Sequence, residues 1–252
     1  MKNHLKLVLL IFSFVPFTFL TAQEYFFGVK GGVNYNSIGD LYHYGEETGV
    51  GGNLTPDEST LFSAEKEMGS QFGAFAVIDF ERFYIRPEIN FISIKNKYPL
   101  ALNTTEWTSS KVDIPILIGT RINDLFSIYG GPVYSSISDT KLEGLKQLDG
   151  TDETPLEFDK SSVGISAGFM VEYGRFGLDF RYDYGLTSVK KQDRIKLIRA
   201  TYGTFVADLN EYNASTISIN LNIKLFGFNN PNASVERKKS RFFDWRNHKN
   251  LR

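Results

Sequence analysis

Between Ser162 and Leu186 the chain alternates apolar and polar residues through two runs that meet at Gly174. In the first run Val163, Ile165, Ala167, Phe169, Val171 and Tyr173 share one face, and Ser162, Gly164, Ser166, Gly168, Met170 and Glu172 share the other. In the second, Phe176, Leu178, Phe180, Tyr182, Tyr184 and Leu186 oppose Gly177, Asp179, Arg181, Asp183 and Gly185. A period of two belongs to a β-strand, and two such runs about one glycine predict a hairpin. Each arm exceeds the ordinary globular strand of about 5 to 6 residues and matches the roughly 10-residue tilted strand that crosses a bilayer.

The same pattern recurs along the chain. Strands are expected over 24–36, 69–80, 82–94, 111–122, 125–137 and 216–226, which with the two arms makes eight. In 111–122, for example, Val112, Ile114, Ile116, Ile118 and Ile122 face away from Lys111, Asp113, Gly119 and Arg121; 69–80 has a weaker phase because Phe75 and Val77 sit opposite its other apolar residues, and 125–137 has an ambiguous one. The connections alternate as well. Minimal turns fall at Phe80-Glu81-Arg82, Asn123-Asp124 and Gly174, while long loops are expected over 37–68, 95–110, 138–160 and 188–214. An even strand number with tight turns at one end and long loops at the other is the pattern of bacterial outer-membrane barrels, whose short turns are periplasmic. The expected fold is all-β, an eight-stranded antiparallel up-and-down transmembrane β-barrel over 23–226, with both termini in the periplasm of a Gram-negative bacterium and outer-membrane lipid around it.

The first residues fit export. Lys2 and Lys6 precede an apolar run from Leu7 to Leu20, and Thr21-Ala22-Gln23 offers a small residue before a cleavage point. Residues 1–22 therefore read as a secretory signal peptide. With no cysteine there is no disulfide framework, thiolate metal site or lipidated cysteine. No later stretch is apolar enough for a spanning helix, and a closed barrel is the other way to satisfy every backbone group in lipid. The net charge of −1 does not point to nucleic acid.

Alternation alone does not say which face is inside, because a soluble lipocalin-type barrel inverts the arrangement. Three features favour the membrane: the unequal connections, glycines on the polar face, and aromatic residues at strand ends. The aromatic girdles would be Tyr25, Phe26, Phe80, Phe83, Phe126, Tyr173, Phe176 and Phe226 at the turn end, and Tyr35, Tyr98, Trp107, Tyr134 and Tyr184 at the loop end. An inward polar face would contain Lys30, Arg86, Lys111, Arg121, Arg181 and Lys224 against Asp79, Glu88, Asp113, Glu172, Asp179 and Asp183. An eight-stranded barrel has room only for side chains, and buried charges must be paired, so a salt-bridged plug is expected rather than a channel.

Outside the barrel, charge is uneven. Residues 37–68 carry a net charge of −6 and 139–160 a net charge of −4. Asp149-Gly150-Thr151-Asp152-Glu153 faintly resembles a calcium loop without its full spacing, so solvated acidic loops are the simpler reading. The tail 227–252 has a net charge of +5 and an aromatic cluster. Arg237, Lys238, Lys239, Arg241, Phe242, Phe243, Trp245 and Arg246 make it a candidate surface for periplasmic or secretion-machinery proteins. No catalysis, cofactor or metal is expected. His4, His43 and His248 lie at no strand end with a serine and a carboxylate in phase, and no nucleophile elbow, phosphate loop or zinc motif occurs.

Several short runs, in order, resemble the strands of PorT-family outer-membrane barrels: Phe27-Gly28-Val29-Lys30-Gly31-Gly32-Val33-Asn34, Ile85-Arg86-Pro87-Glu88-Ile89-Asn90-Phe91, Val112-Asp113-Ile114-Pro115-Ile116-Leu117-Ile118, Gly130-Gly131-Pro132, and Asp179-Phe180-Arg181-Tyr182-Asp183-Tyr184-Gly185-Leu186. The resemblance spans Tyr25 to Phe226. It implies a small integral barrel and supplies no catalytic residue. The family's namesake belongs to a type IX secretion and gliding machinery. Two roles follow as expectations: a structural or surface-interaction protein acting through its acidic loops, or a secretion accessory acting through its tail.

Overall fold

The computed structural model describes residues 24–47, 60–80, 83–100, 103–143, 146–147, 161–199 and 203–229. The first half forms β1 (Glu24–Ser37), β2 (Leu41–Glu47), β3 (Thr60–Phe62), β4 (Glu65–Lys66), β5 (Met68–Phe80), β6 (Phe83–Leu100) and β7 (Asn103–Arg121). The second forms β8 (Phe126–Glu143), β9 (Lys146–Gln147), β10 (Ser161–Tyr173), β11 (Phe176–Val189), β12 (Gln192–Arg199), β13 (Gly203–Leu209) and β14 (Tyr212–Asn229). Eight of these close a ring. Antiparallel neighbours run β6-β5-β1-β14-β11-β10-β8-β7, and β7 pairs back onto β6. No sheet edge is left in this ring, which is what a strand structure in lipid requires.

Local chemistry sets the tight turns. Gly174 adopts φ 62°, which a side chain disfavours, and lets Tyr173 pair with Phe176. At the β7–β8 turn Asn123 Oδ1 accepts from the amides of Leu125 at 2.9 Å and Phe126 at 2.8 Å, so a side chain replaces a missing ladder partner. Pairing then propagates in register: in β10 and β11, Phe169 lies opposite Phe180 and Ala167 opposite Tyr182.

The apolar face is outside. Val163, Ile165, Phe169 and Tyr173 of β10 are exposed while Ser166, Met170 and Glu172 are buried; β11 exposes Leu178, Tyr182 and Tyr184 and buries Asp179 and Arg181. Cross-strand rings stack on this outer surface, Phe169 on Phe180 at 4.8 Å and Phe72 on Phe91 at 5.1 Å. An apolar belt of this extent is not sustained in water, and the inverted, lipocalin-like arrangement is excluded. β8 resolves its phase too, with Ser127, Tyr129, Val133 and Ser135 inside and Phe126, Ile128 and Tyr134 outside. The weak phase of β5 has its own cause: Phe75 and Val77 point inward, into a cluster with Tyr84, Leu117, Tyr129 and Met170, against which Phe26 packs.

Four strands overrun the membrane. β6, β8 and β14 have 18 residues and β7 has 19, against the roughly 9 to 11 that span a bilayer. At the long-loop end a second sheet of order β3-β2-β13-β12-β9 stands beside these extensions. Here the structure corrects the sequence reading. Of the expected loop 95–110, only 101–102 lies between the paired ends of β6 and β7, where Leu100 lies opposite Asn103. The expected loops 37–68 and 188–214 contain β2, β3, β12 and β13. These strands are short, and they form because partners from distant loops supply their ladders, which no local periodicity reveals. β14 also runs past 226: Phe228 pairs with Tyr25 and Asn229 with Glu24, so the barrel takes three residues assigned to the tail.

The girdles are corrected at three positions. Phe26 faces inward and Tyr98 and Trp107 are buried at the outer end, whereas Phe83, Phe126, Tyr173, Phe176 and Phe226 at one rim and Tyr35, Tyr134 and Tyr184 at the other point outward. Tyr98 continues the inward phase of Tyr84, Arg86, Glu88 and Asn90 once β6 is prolonged beyond Ile94. The expected signal peptide, the Asp149–Glu153 segment and the tail from 230 onward lie outside the described residues.

Candidate functional site

The barrel interior is built in layers, each set by the inward phase of several strands. At the turn end Arg121 of β7 forks onto Asp79 of β5, with Nη1 2.9 Å from Oδ1 and Nη2 on Oδ2. Lys224 of β14 meets Glu172 of β10 at 2.7 Å and lies over the Phe26 ring at 5.3 Å. Above this comes the apolar cluster around Phe75, over whose ring the Arg86 guanidinium sits at 4.1 Å.

The central layer is the densest. Glu88 accepts from Lys30 Nζ at 3.0 Å and from Arg181 Nη1 and Nη2 at 2.8 and 2.9 Å, and pairs with Arg86 Nε at 2.7 Å. Asp179, fully buried, takes Arg181 Nη2 at 3.2 Å, has Lys30 at 3.5 Å, and accepts the Tyr129 hydroxyl. Five charges from β1, β6 and β11 thus share one unit, three cations around two carboxylates. Gly168 of β10 makes room for it: a Cβ there would strike the Tyr129 ring and the Phe180 carbonyl.

The outer layer is more polar than ionic. Lys111 pairs with Asp113 at 2.8 Å, and Asp113, Asp183, Asn90 and Arg181 border one narrow interior crevice with no room for a water. Amides fill the rest. Gln71 Nε2 donates to Asn220, Asn34 Nδ2 reaches across β5 to the Ser93 carbonyl at 3.2 Å, and Thr216 donates to Asn36. At the far end Tyr98 donates to the Gly39 carbonyl at 2.6 Å and meets Trp107 edge-on at 6.4 Å, tying β6 to the segment before β2. Burial there pushes the Tyr98 phenol far above its ordinary range.

All twelve charged positions singled out in the sequence face this interior. They form three groups rather than one chain: Asp79, Arg121, Glu172 and Lys224 at the turn end; Lys30, Arg86, Glu88, Asp179 and Arg181 in the middle; Lys111, Asp113 and Asp183 outside. Sequence reasoning passed over the neutral partners Asn34, Gln71, Asn90, Tyr129, Asn220 and Asn222, although each stands on an inward phase and is almost wholly buried. The tail residues Arg237, Lys238, Lys239, Arg241, Phe242, Phe243, Trp245 and Arg246 lie outside the described residues, as do His4 and His248. His43 falls on β2, opposite Ala207 and Thr60. Among the described residues no cluster of three or more histidine or acidic side chains is arranged to hold a metal.

Residues 21–191 match the family model described as outer membrane protein beta-barrel domain. The chain belongs to this family. Its place is accordingly the outer membrane, where the exposed apolar belt meets lipid. Structures similar to this barrel include Ail, the attachment invasion locus protein of Yersinia pestis, at 12% identity and a TM-score of 0.37 over 81% of this chain and 100% of that one. Ail with the heparin analogue sucrose octasulfate follows at 10% identity and 0.36, over the same shares of both chains. A mutant of the TodX monoaromatic hydrocarbon channel is similar at 10% identity and 0.24, over 68% of this chain and 41% of that one. No curated protein matches the chain.

Proposed function

We propose that this outer-membrane barrel is a sealed, non-enzymatic anchor that presents a structured head at the cell surface, and that the head makes its interactions. The observation that carries this reading is the division of labour along the strands. The spanning part is filled by paired charges and buried amides, while β6, β7, β8 and β14 continue beyond the bilayer beside the second sheet. The long-loop end faces outward and the termini face the periplasm, as the asymmetry of connections supports. The head draws on acidic segments, net −6 over 37–68 and −4 over 139–160, so its partners carry basic surfaces.

A secretion accessory of the PorT kind, acting through Arg237 to Arg246, is the second reading; it rests on the strand resemblances and on the charge and aromatics of the tail. One comparison separates the two. Partners are cross-linked on intact cells carrying the full chain, a chain with 191–210 replaced by a short turn, or a chain ended after Asn229. Loss of partners with the head alone supports a surface role, and loss with the tail alone overturns it.

A further inference from the structure

Proline is rare inside a closed sheet because it brings no N–H to the ladder. Three prolines nevertheless stand in the bilayer-spanning parts of three neighbouring strands: Pro87 in β6, Pro115 in β7 and Pro132 in β8. The sequences of β1, β5, β10, β11 and β14 contain none. Pairing breaks where the prolines fall. Among the described residues, ladder partners are missing at 76–77 against 86–87, at 88–89 against 114–115, and at 116–117 against 131–132. The ladders joining β1 to β5, β10 to β11 and β10 to β8 cross the bilayer without interruption.

The three gaps adjoin, so they make one line across the wall. Ile116 lies opposite Pro87 of β6, and Pro115 lies opposite Val133 of β8, which sets Pro132 beside Ile116. A Cβ on Gly131 would strike the Ile116 carbonyl, so that carbonyl points at β8, where Pro132 has no N–H to give it. On one side of the line are the tight turns; on the other, β6, β7 and β8 run on into the head.

The line is held from inside. Glu88 stands in the gap on β6 and is gripped from across the lumen by Lys30 of β1 at 3.0 Å and by Arg181 of β11 at 2.8 and 2.9 Å. Leu117, in the gap on β7, packs into the apolar cluster of Phe75 and Tyr129. We propose that the proline line is a hinge about which the outer halves of β6, β7 and β8 tilt with the head they carry, and that the Glu88 cluster is the clasp that limits the swing. The ion pairs take over, from inside, part of what the missing backbone bonds would do. The hinge adds motion to the anchor-and-head reading on which it rests, yet it is measured in the wall without any partner, so its failure leaves that reading standing.

The test uses the full chain in lipid nanodiscs. Spin labels on Lys95→Cys and Thr120→Cys straddle the line, and labels on Arg175→Cys and Lys190→Cys flank proline-free β11; all four positions are exposed. Distances are read by double electron–electron resonance. Glu88→Gln widens the first distribution to about twice its width and leaves the second unchanged, and Pro87→Val, Pro115→Val and Pro132→Val together abolish the widening. Deuterium exchange on the wild-type barrel checks the hinge without any substitution: the amides of Ile89 and Leu117 exchange about tenfold or more faster than those of Phe180 and Arg181 in the same layer. Equal exchange in the two walls would overturn the hinge. Widening of both distributions, of neither, or one that survives the three valines would overturn it as well.

Discussion

Glu88 is the residue on which the interior turns. It sits 4% exposed in the middle of the barrel with Lys30, Arg86 and Arg181 all directed at it, leaving only Asp179 as a second anion in that layer. Removing one partner of a buried ion pair leaves uncompensated charge, a loss of about 3 to 5 kcal/mol. Glu88→Gln keeps the shape and removes the charge, and it is expected to lower the stability of the folded barrel by that amount in urea titrations. Lys111→Met, which touches a pair at the edge of the network, is expected to cost less. That these positions face inward was legible from alternation. Which charge meets which was not, because the partners are 58 and 93 residues apart and come together only through the ring.

At the scale of single elements, the turns and the strand extensions behave differently. Gly174 occupies a left-handed conformation that costs an L-residue about 1 to 2 kcal/mol, so Gly174→Ala is expected to destabilise the β10–β11 hairpin by that much and to slow barrel assembly from urea. The spanning strands were readable because a buried face and a lipid face impose a strict period of two. The head strands were not: β12 and β13 pair with each other and with β9 and β2, so their order comes from contacts between loops far apart in sequence. Tyr98 binds this head to the barrel through the Gly39 carbonyl. Tyr98→Phe loses one hydrogen bond of about 1 kcal/mol; protease cleavage within 37–68 is expected to quicken while the unfolding midpoint of the barrel stays in place.

As a whole the molecule is an inverted globule, apolar outside and charged within, and its parts are consistent only in a bilayer. A closed ring satisfies the backbone, paired charges fill a lumen too narrow for a channel, and the apolar belt meets lipid. The absence of cysteine allows this to be probed position by position. The most direct test is a single-cysteine scan from Ser162 to Glu172 in the barrel reconstituted in lipid vesicles, reading the accessibility of a spin label to a lipid-soluble and to a water-soluble relaxant. Strong relaxation by the lipid-soluble agent at Val163, Ile165, Ala167, Phe169 and Val171, with protection from both agents at Gly164, Ser166, Gly168 and Met170, is the predicted result. Lipid contact on the second set, or no alternation at all, would contradict it.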